Sequence, residues 1–583
     1  MQTLSIINHL HLPSPFKGEG WGEGNRCIPS QISNERKDNM INIGDWIRKW
    51  SLLQPQKKAL IFEDQPFTYQ EVNQRTNQLC HHLLESRVIK GDRVAVLLHN
   101  CHQYLEIFFA ISKIGAILVP LNWRLAGPEL EFILKDSGSK ILIFEPEFEE
   151  VVAAIRPNLN LPNGNYITIG EPHPDWAVDY ENSISKQPAL EPINNGSVGG
   201  EDPHIIMYTS GTTGVPKGAV LSHRKTFFNV LNADIVYNLT SRDTMIISRP
   251  MFHSGGLLVE AAPILYKGGT LILKKRFRPI EILETVARYK VTILELAATV
   301  YQFILPECDL SQYDLGSVRC YFTGGERIPL TLIKEYLKRG ITLSQIFGQT
   351  EASTITFLSS EKAAAKIGSV GLPVFHGEVR IVDKEGKAVL PGEVGEIIIR
   401  GPTLMSGYWN RPDLTAETIR DGWLYTGDLA KKDEEGYIYI VDRERDMYIS
   451  GGENVYPAEV EKVFFSHPKI FDVGVIGVPD GKWGEVGKAY IVLKSGETMA
   501  EEEALRFLQG KLGKYKIPKC VEFIEELPKT ASGKIQKFVL KEWHQTKTKL
   551  GVRSFKTKYS ELPAPILSGR TNHSELLSGG FHG

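Results

Sequence analysis

Between residues 93 and 144 the chain repeats one unit, an apolar run of strand length followed by a segment of helical period. Arg93-Val94-Ala95-Val96-Leu97-Leu98 leads into a helix ending near Lys113, Ile117-Leu118-Val119 into a helix around Glu129–Lys135, and Ile141-Leu142-Ile143-Phe144 follows. Strands without polar alternation need cover on both faces, so the pattern predicts parallel sheets with helices on either side. From about Gly368 the texture changes to short strands and tight turns, Glu378–Val382 and Gly395–Arg400 among them, which predicts a β-rich subdomain. After Asp442 a smaller unit of about 100 residues begins, with strands expected at Asp472–Val478 and Lys488–Leu493 and a helix at Glu501–Leu512.

With 583 residues, 42% of them hydrophobic and 23% charged, the composition is that of a folded protein with several cores. The formal net charge of −2 gives no overall reason to bind nucleic acid or an anionic membrane. Six cysteines without a CxxC pair or a Cys/His cluster fit a reduced, cytoplasmic setting rather than a disulfide scaffold or zinc site. The most apolar stretch, Leu105–Leu121, contains Glu106 and Lys113 and is too short to span a bilayer. Residues 1–39 are rich in Gly, Pro, Ser and charge and are expected to be a disordered extension, with Met40 as the functional start. Residues 546–583 are expected to be a disordered tail.

The most informative segment follows the apolar Ile205-Ile206-Met207. Tyr208-Thr209-Ser210-Gly211-Thr212-Thr213-Gly214-Val215-Pro216-Lys217-Gly218 is a strand emptying into small hydroxyl residues and glycines. Such a loop offers backbone N–H and hydroxyl donors to anionic oxygens, and glycine permits close approach. It is not a Walker A loop, because no Gly-Lys-Ser or Gly-Lys-Thr occurs in the chain. The segment resembles the phosphate loop of the adenylate-forming family, which comprises acyl-CoA synthetases, nonribosomal peptide adenylation domains and beetle luciferases. The resemblance extends over roughly residues 60–540.

Phe347-Gly348-Gln349-Thr350-Glu351 resembles the family motif in which an aromatic ring lies on adenine, Thr contacts the α-phosphate and Glu holds Mg²⁺. Phe322-Thr323-Gly324-Gly325-Glu326 resembles the turn lining the adenine and acyl pockets, and Tyr425-Thr426-Gly427-Asp428 the motif whose Asp accepts hydrogen bonds from ribose hydroxyls. In Asp442-Arg443-Glu444-Arg445-Asp446, the resemblance gives Arg443 a ribose contact and Arg445 the hinge position. The chain departs from the usual pattern there, with Asp442 for Gly and Arg445 for Asp or Lys. Gly451-Gly452, within Ile449–Val455, resembles the loop that builds the pantetheine tunnel, and Lys534, in Pro528–Ile535, the lysine that reaches the substrate carboxylate and α-phosphate.

The fold implied is α/β. Its large N-terminal domain (40–442) holds two parallel-sheet subdomains and a β-rich subdomain (about 368–442), and its smaller C-terminal α+β domain (443–545) is mobile. The reaction implied is that of an ATP-dependent acyl-CoA synthetase, with ATP, Mg²⁺ and coenzyme A. Carboxylate and α-phosphate repel one another, and Lys534, Thr212, Thr350 and Mg²⁺ held through Glu351 and Thr212 would lower that barrier. His253, in Pro250-Met251-Phe252-His253, stands where amino-acid-activating relatives commonly place Asp, and no carrier-protein domain follows residue 545. Both features favour free coenzyme A, and Lys514–Lys519 with Trp483 is the expected nucleotide end of its site. The acyl pocket candidates His253, Leu257, Leu258, Ala298, Gly324 and Phe347 are mostly apolar, which points to a medium- or long-chain fatty acid. The alternatives are an aryl-acid ligase, an enzyme loading a carrier protein and a luciferase-like oxygenase. A monomer or homodimer is expected.

Overall fold

The computed structural model describes residues 41–193, 198–209, 216–325, 328–443, 446–450, 453–480, 483–509, 511–530 and 533–550, excluding the side chains of 453, 454 and 548–550. Residue 40, Ser210, Gly211, Thr212, Thr213, Gly214, Glu326, Arg445, Gly451 and Gly452 lie outside the described residues, as do both predicted tails except 546–550.

Two large sheets dominate the N-terminal domain. One has eight strands in the order Gly407–Tyr408, Lys217–Ser222, Pro203–Thr209, Ile117–Pro120, Arg93–Leu97, Ile141–Phe144, Tyr166–Thr168, Val178–Asp179. It is parallel from Pro203–Thr209 onward and antiparallel at its other edge. The second has nine strands. Its parallel centre runs Leu343–Gln349, Cys320–Gly324, Ile293–Glu295, Thr244–Ile247, Thr270–Leu273, Lys58–Phe62, and antiparallel strands close both edges. The sheets are therefore mixed rather than wholly parallel, because antiparallel hairpins such as Pro203–Thr209 with Lys217–Ser222 and Leu343–Gln349 with Ser353–Phe357, which need no crossover helix, extend the parallel strands toward an edge.

The central strands are buried along nearly their whole length, as their unbroken apolar runs require. Helix His102–Ile114 is buried on almost every side, with Phe108 and Phe109 in the main core, and stops at Gly115, whose φ of 72° few side chains tolerate. Helix Tyr69–Glu85 opens on a capping box in which the Glu71 amide donates to Thr68 Oγ1 and the Thr68 amide to Glu71 Oε2.

A five-stranded antiparallel sheet follows, made of Glu378–Val382, Gly395–Arg400, Trp423–Lys432, Ile419–Arg420 and Ile438–Arg443. The smaller C-terminal domain has its own sheet, in which Ile470–Asp480 and Gly484–Leu493 form a long hairpin. The expected helix from Glu501 ends at Leu508, where Gln509 turns extended. A further helix, Lys537–Leu550, runs past the 545 boundary into the expected tail. Across the junction Asp442 Oδ2 accepts a hydrogen bond from the Ala458 amide at 2.6 Å, and within the C-terminal domain Lys537 pairs with Glu461 at 2.9 Å.

Candidate active site

The parallel strands of the nine-stranded sheet deliver their carboxyl ends to one cleft, the position at which open α/β sheets bind ligands. Thr244–Ile247 leads to Arg249 and His253, Ile293–Glu295 to Ala298, Cys320–Gly324 to Gly325, and Leu343–Gln349 to Thr350 and Glu351. Thr209, Asp428 and Arg443 line the same cleft, and so does Lys534 from the C-terminal domain.

Gly324 and Gly348 are required sterically. A Cβ on Gly324 would stand 2.3 Å from the Ile346 carbonyl oxygen, and one on Gly348 2.1 Å from that of Ser353. Ser353 itself holds a φ of 59° at the turn after Glu351. This close packing of strand on strand presents Phe347, Thr350 and Glu351 to the cleft in a fixed order.

Glu351 is 9% exposed, and its Oε1 accepts a hydrogen bond from Tyr408 Oη at 2.9 Å. Over the Tyr408 ring, 5.4 Å from its centroid, sits the Lys217 ammonium. Behind Glu351 the fully buried Lys225 donates to Ser353 Oγ. Burial pushes the Lys225 ammonium down to about 7 against the pull of the Glu351 carboxylate. No group of three His, Cys, Asp or Glu ligands forms at Glu351 among the described residues. A single hard carboxylate that lines an open cleft suits Mg²⁺, which completes its shell with phosphate and water, and does not suit a protein-caged metal such as zinc.

On the antiparallel sheet Asp428 pairs in register with Arg443, and Arg443 Nε lies 3.0 Å from Asp428 Oδ1. His253 lines the acid side of the cleft. Burial pushes its imidazole down to about 3, with the nearby charges of Arg124, Lys534 and Arg249 adding to the effect. The ring is therefore neutral at physiological pH, and Lys534 reaches close enough to His253 to bear on it. His253 Nε2 and Gln349 Nε2 are buried at the cleft with no hydrogen-bond partner among the described residues, as atoms awaiting a polar ligand would be.

The structure places three of the expected features elsewhere or with other partners. Leu257 and Leu258 belong to the main core instead of the acyl pocket, because the π-helical turn Gly255–Ala261 directs them inward and Val259 outward. Trp483 is 43% exposed and does not line the cleft. In the basic strip, Lys516 bonds both Glu459 carboxylate oxygens at 2.7 Å, so its charge is already matched. Sequence reasoning also missed Lys225, Tyr408 and a buried cluster of Arg249, Glu260 and Glu295. A charge inside an apolar run, as in Ile293-Leu294-Glu295-Leu296 or Leu257-Leu258-Val259-Glu260-Ala261, was the available signal.

The family model for AMP-binding enzyme matches residues 47–409, and that for the AMP-binding enzyme C-terminal domain matches residues 459–534. The chain belongs to the AMP-binding enzymes. It is 41% identical to a feruloyl-CoA synthase of Amycolatopsis sp, over 85% of this chain and 97% of that one. It is 36% identical to an indoleacetate-CoA ligase of Aromatoleum aromaticum, with the same coverage of each. Among solved structures it resembles an anthranilate-CoA ligase in complex with anthranoyl-AMP (TM-score 0.80, 30% identity, 86% of this chain and 97% of that one). It also resembles the o-succinylbenzoate-CoA synthetase of Bacillus subtilis in complex with ATP and magnesium ion (TM-score 0.76, 33% identity, 85% and 99%). This AMP-binding enzyme is an acid–thiol ligase that uses ATP, Mg²⁺ and coenzyme A to act on a small carboxylic acid. A fatty acid finds no support among these relatives, whose names specify aromatic acids. No described helix is long and apolar enough to cross a membrane.

Proposed function

We propose that this ligase activates an aryl or arylalkanoic acid, forming its acyl-adenylate and then its coenzyme A thioester in the cytoplasm. The observation that carries the reading is the junction of Lys534 with the His253 side of the cleft. A cation supplied by the small domain stands beside a neutral, largely apolar acid pocket that contains Ala298, Val259 and Phe347. An aromatic acid needs apolar walling, and its carboxylate needs that cation.

In this reading Phe347 covers adenine, Thr350 bonds the α-phosphate, and Asp428, oriented by Arg443, accepts from the ribose hydroxyls. Lys217, Thr209 and the loop Ser210–Gly214, with Gly211 and Thr213, hold the outer phosphates. Gly324 and Gly325, with Glu326 and the Gly348-Gln349 backbone, let acid and adenine lie against bare main chain. Glu351, fixed by Tyr408, would hold Mg²⁺ with Thr212, and the ion supplies charge neutralisation on the phosphates when bound. Lys534 neutralises the approaching carboxylate and the α-phosphate. Rotation about Arg445 then brings Gly451 and Gly452 to the acyl carbonyl for thiol attack.

The test is a panel of cinnamic, benzoic, indoleacetic and C6–C16 fatty acids assayed for AMP and thioester together. Aromatic acids are expected to give the higher kcat/KM, and preference for a fatty acid would overturn the reading.

A further inference from the structure

Three charged side chains from three separate elements meet beneath the acid pocket. Arg249 follows strand Thr244–Ile247, Glu260 lies on the turn Gly255–Ala261, and Glu295 ends strand Ile293–Glu295. Arg249 Nη1 stands 3.0 Å from Glu295 Oε1, and Nε stands 3.4 Å from Glu260 Oε1. Arg249 Nη2 donates to the Gly324 carbonyl at 3.0 Å, and Tyr237 Oη donates to Glu295 Oε2. The carboxylate side chains are 0% and 1% exposed, whereas that of Arg249 keeps 16% and lines the cleft. Room is left around the guanidinium by glycine, since a Cβ on Gly255 would come within 3.1 Å of Arg249 Nη1. Arg249 is also close enough to His253 to bear on its ring.

One guanidinium thus faces two buried carboxylates, and the Tyr237 hydroxyl adds a side-chain donor to Glu295. Two carboxyl groups against one guanidinium leave no positive charge unmatched, and burial, with the neighbouring Glu295 adding to it, pushes Glu260 well above the ordinary carboxylate range despite Arg249. A substrate oxygen arriving here meets a strong donor whose charge is already balanced. An uncharged acceptor can use that donor, while a second anion would be desolvated beside Glu295 without a cation of its own.

We propose that Arg249, clamped by Glu260 and Glu295, is a specificity-determining residue that binds an uncharged oxygen substituent at the far end of the acid and excludes a second carboxylate. This rests on the aryl-acid reading above and narrows it to monoacids that carry a phenolic, ether or carbonyl oxygen. It also separates this chain from a relative such as 2-succinylbenzoate-CoA ligase, whose named acid is a dicarboxylate.

The test uses the full-length enzyme with cinnamate, 4-hydroxycinnamate and 4-carboxycinnamate, read as kcat/KM ratios alongside a thermal melt. The wild type is expected to favour the 4-hydroxy over the unsubstituted acid by about 10-fold or more, the range of a hydrogen bond to a charged group, chiefly through KM. It should turn over the 4-carboxy acid poorly. In Arg249→Leu the 4-hydroxy preference should fall to within about 2-fold. Because that variant leaves buried carboxylates unmatched, the second is the double variant Glu260→Gln/Glu295→Gln. It frees the guanidinium charge and should raise 4-carboxycinnamate turnover relative to cinnamate by about 10-fold or more, a gain that misfolding cannot produce. A 4-hydroxy preference that survives in folded Arg249→Leu, or no gain for the dicarboxylate in the folded double variant, would overturn the proposal. Failure of every aromatic acid with the wild type would instead overturn the aryl-acid reading on which it stands.

Discussion

Replacing Gly348 by alanine is a single-methyl test of the nucleotide site. The added Cβ would lie 2.1 Å from Ser353 O, 2.9 Å from Ser353 C and 3.0 Å from Thr354 Cα, where real contacts essentially stop at 3.0 Å. All three atoms are backbone of the paired strand, in which Thr354 is the register partner of Gly348, so no rotamer change relieves the clash. The hairpin must open by about 1 Å, which carries Phe347 and Glu351 out of position. Overpacking of this kind costs about 1–3 kcal/mol, a fall in Tm of roughly 1–4 °C at about 2.1 cal/mol/K of unfolding entropy per residue over a domain of about 400 residues. Misplacement by an ångström costs about 10²-fold in rate. Calorimetry and acid-dependent pyrophosphate release measure the two effects. Gly316→Ala is the control, since its nearest atom is the Asp314 Oδ1 at 3.3 Å. Wild-type Tm and turnover in Gly348→Ala would refute the packing argument.

The remaining predictions concern acid stability and the two half-reactions. His223 and His253 are pushed down to about 3, and His204 well below its ordinary value, in each case first by burial. The unfolded chain binds these protons below about pH 6.5 and the folded chain does not, so stability is full above that pH and is lost as pH falls toward 3. The slope is up to about 1.4 kcal/mol per unit for each histidine, and a Tm that stays flat or rises between pH 6.5 and 5 would contradict it. Lys534→Ala should lower adenylate formation by about 10²–10³ yet spare thioester formation from supplied acyl-adenylate. Equal loss of both steps would count against the assigned role.

The alternation of strand and helix was legible because buried parallel strands must be apolar throughout, and Ile141–Phe144, Glu378–Val382 and Gly395–Arg400 fall where their sequence places them. Edge pairing was not, since Leu372–Pro373 and Gly407–Tyr408 carry no strand pattern and are held by their neighbours. At the site, contiguous motifs were visible because the groups that touch one ligand sit a few residues apart, as in Phe347–Glu351. Arg249, Glu260 and Glu295 escaped notice because their association depends on three distant segments meeting in space. Leu257 and Leu258 were misassigned for a related reason: in an apolar segment every position resembles a pocket wall, and only the helix phase decides which side chain faces the cleft.

The most direct measurement is exchange of labelled pyrophosphate into ATP, driven by an aromatic acid with Mg²⁺ present and coenzyme A absent. The account predicts exchange that depends on the acid, since adenylation needs no thiol. No exchange with any aromatic acid, from an enzyme that nevertheless makes the thioester, would contradict an acyl-adenylate route.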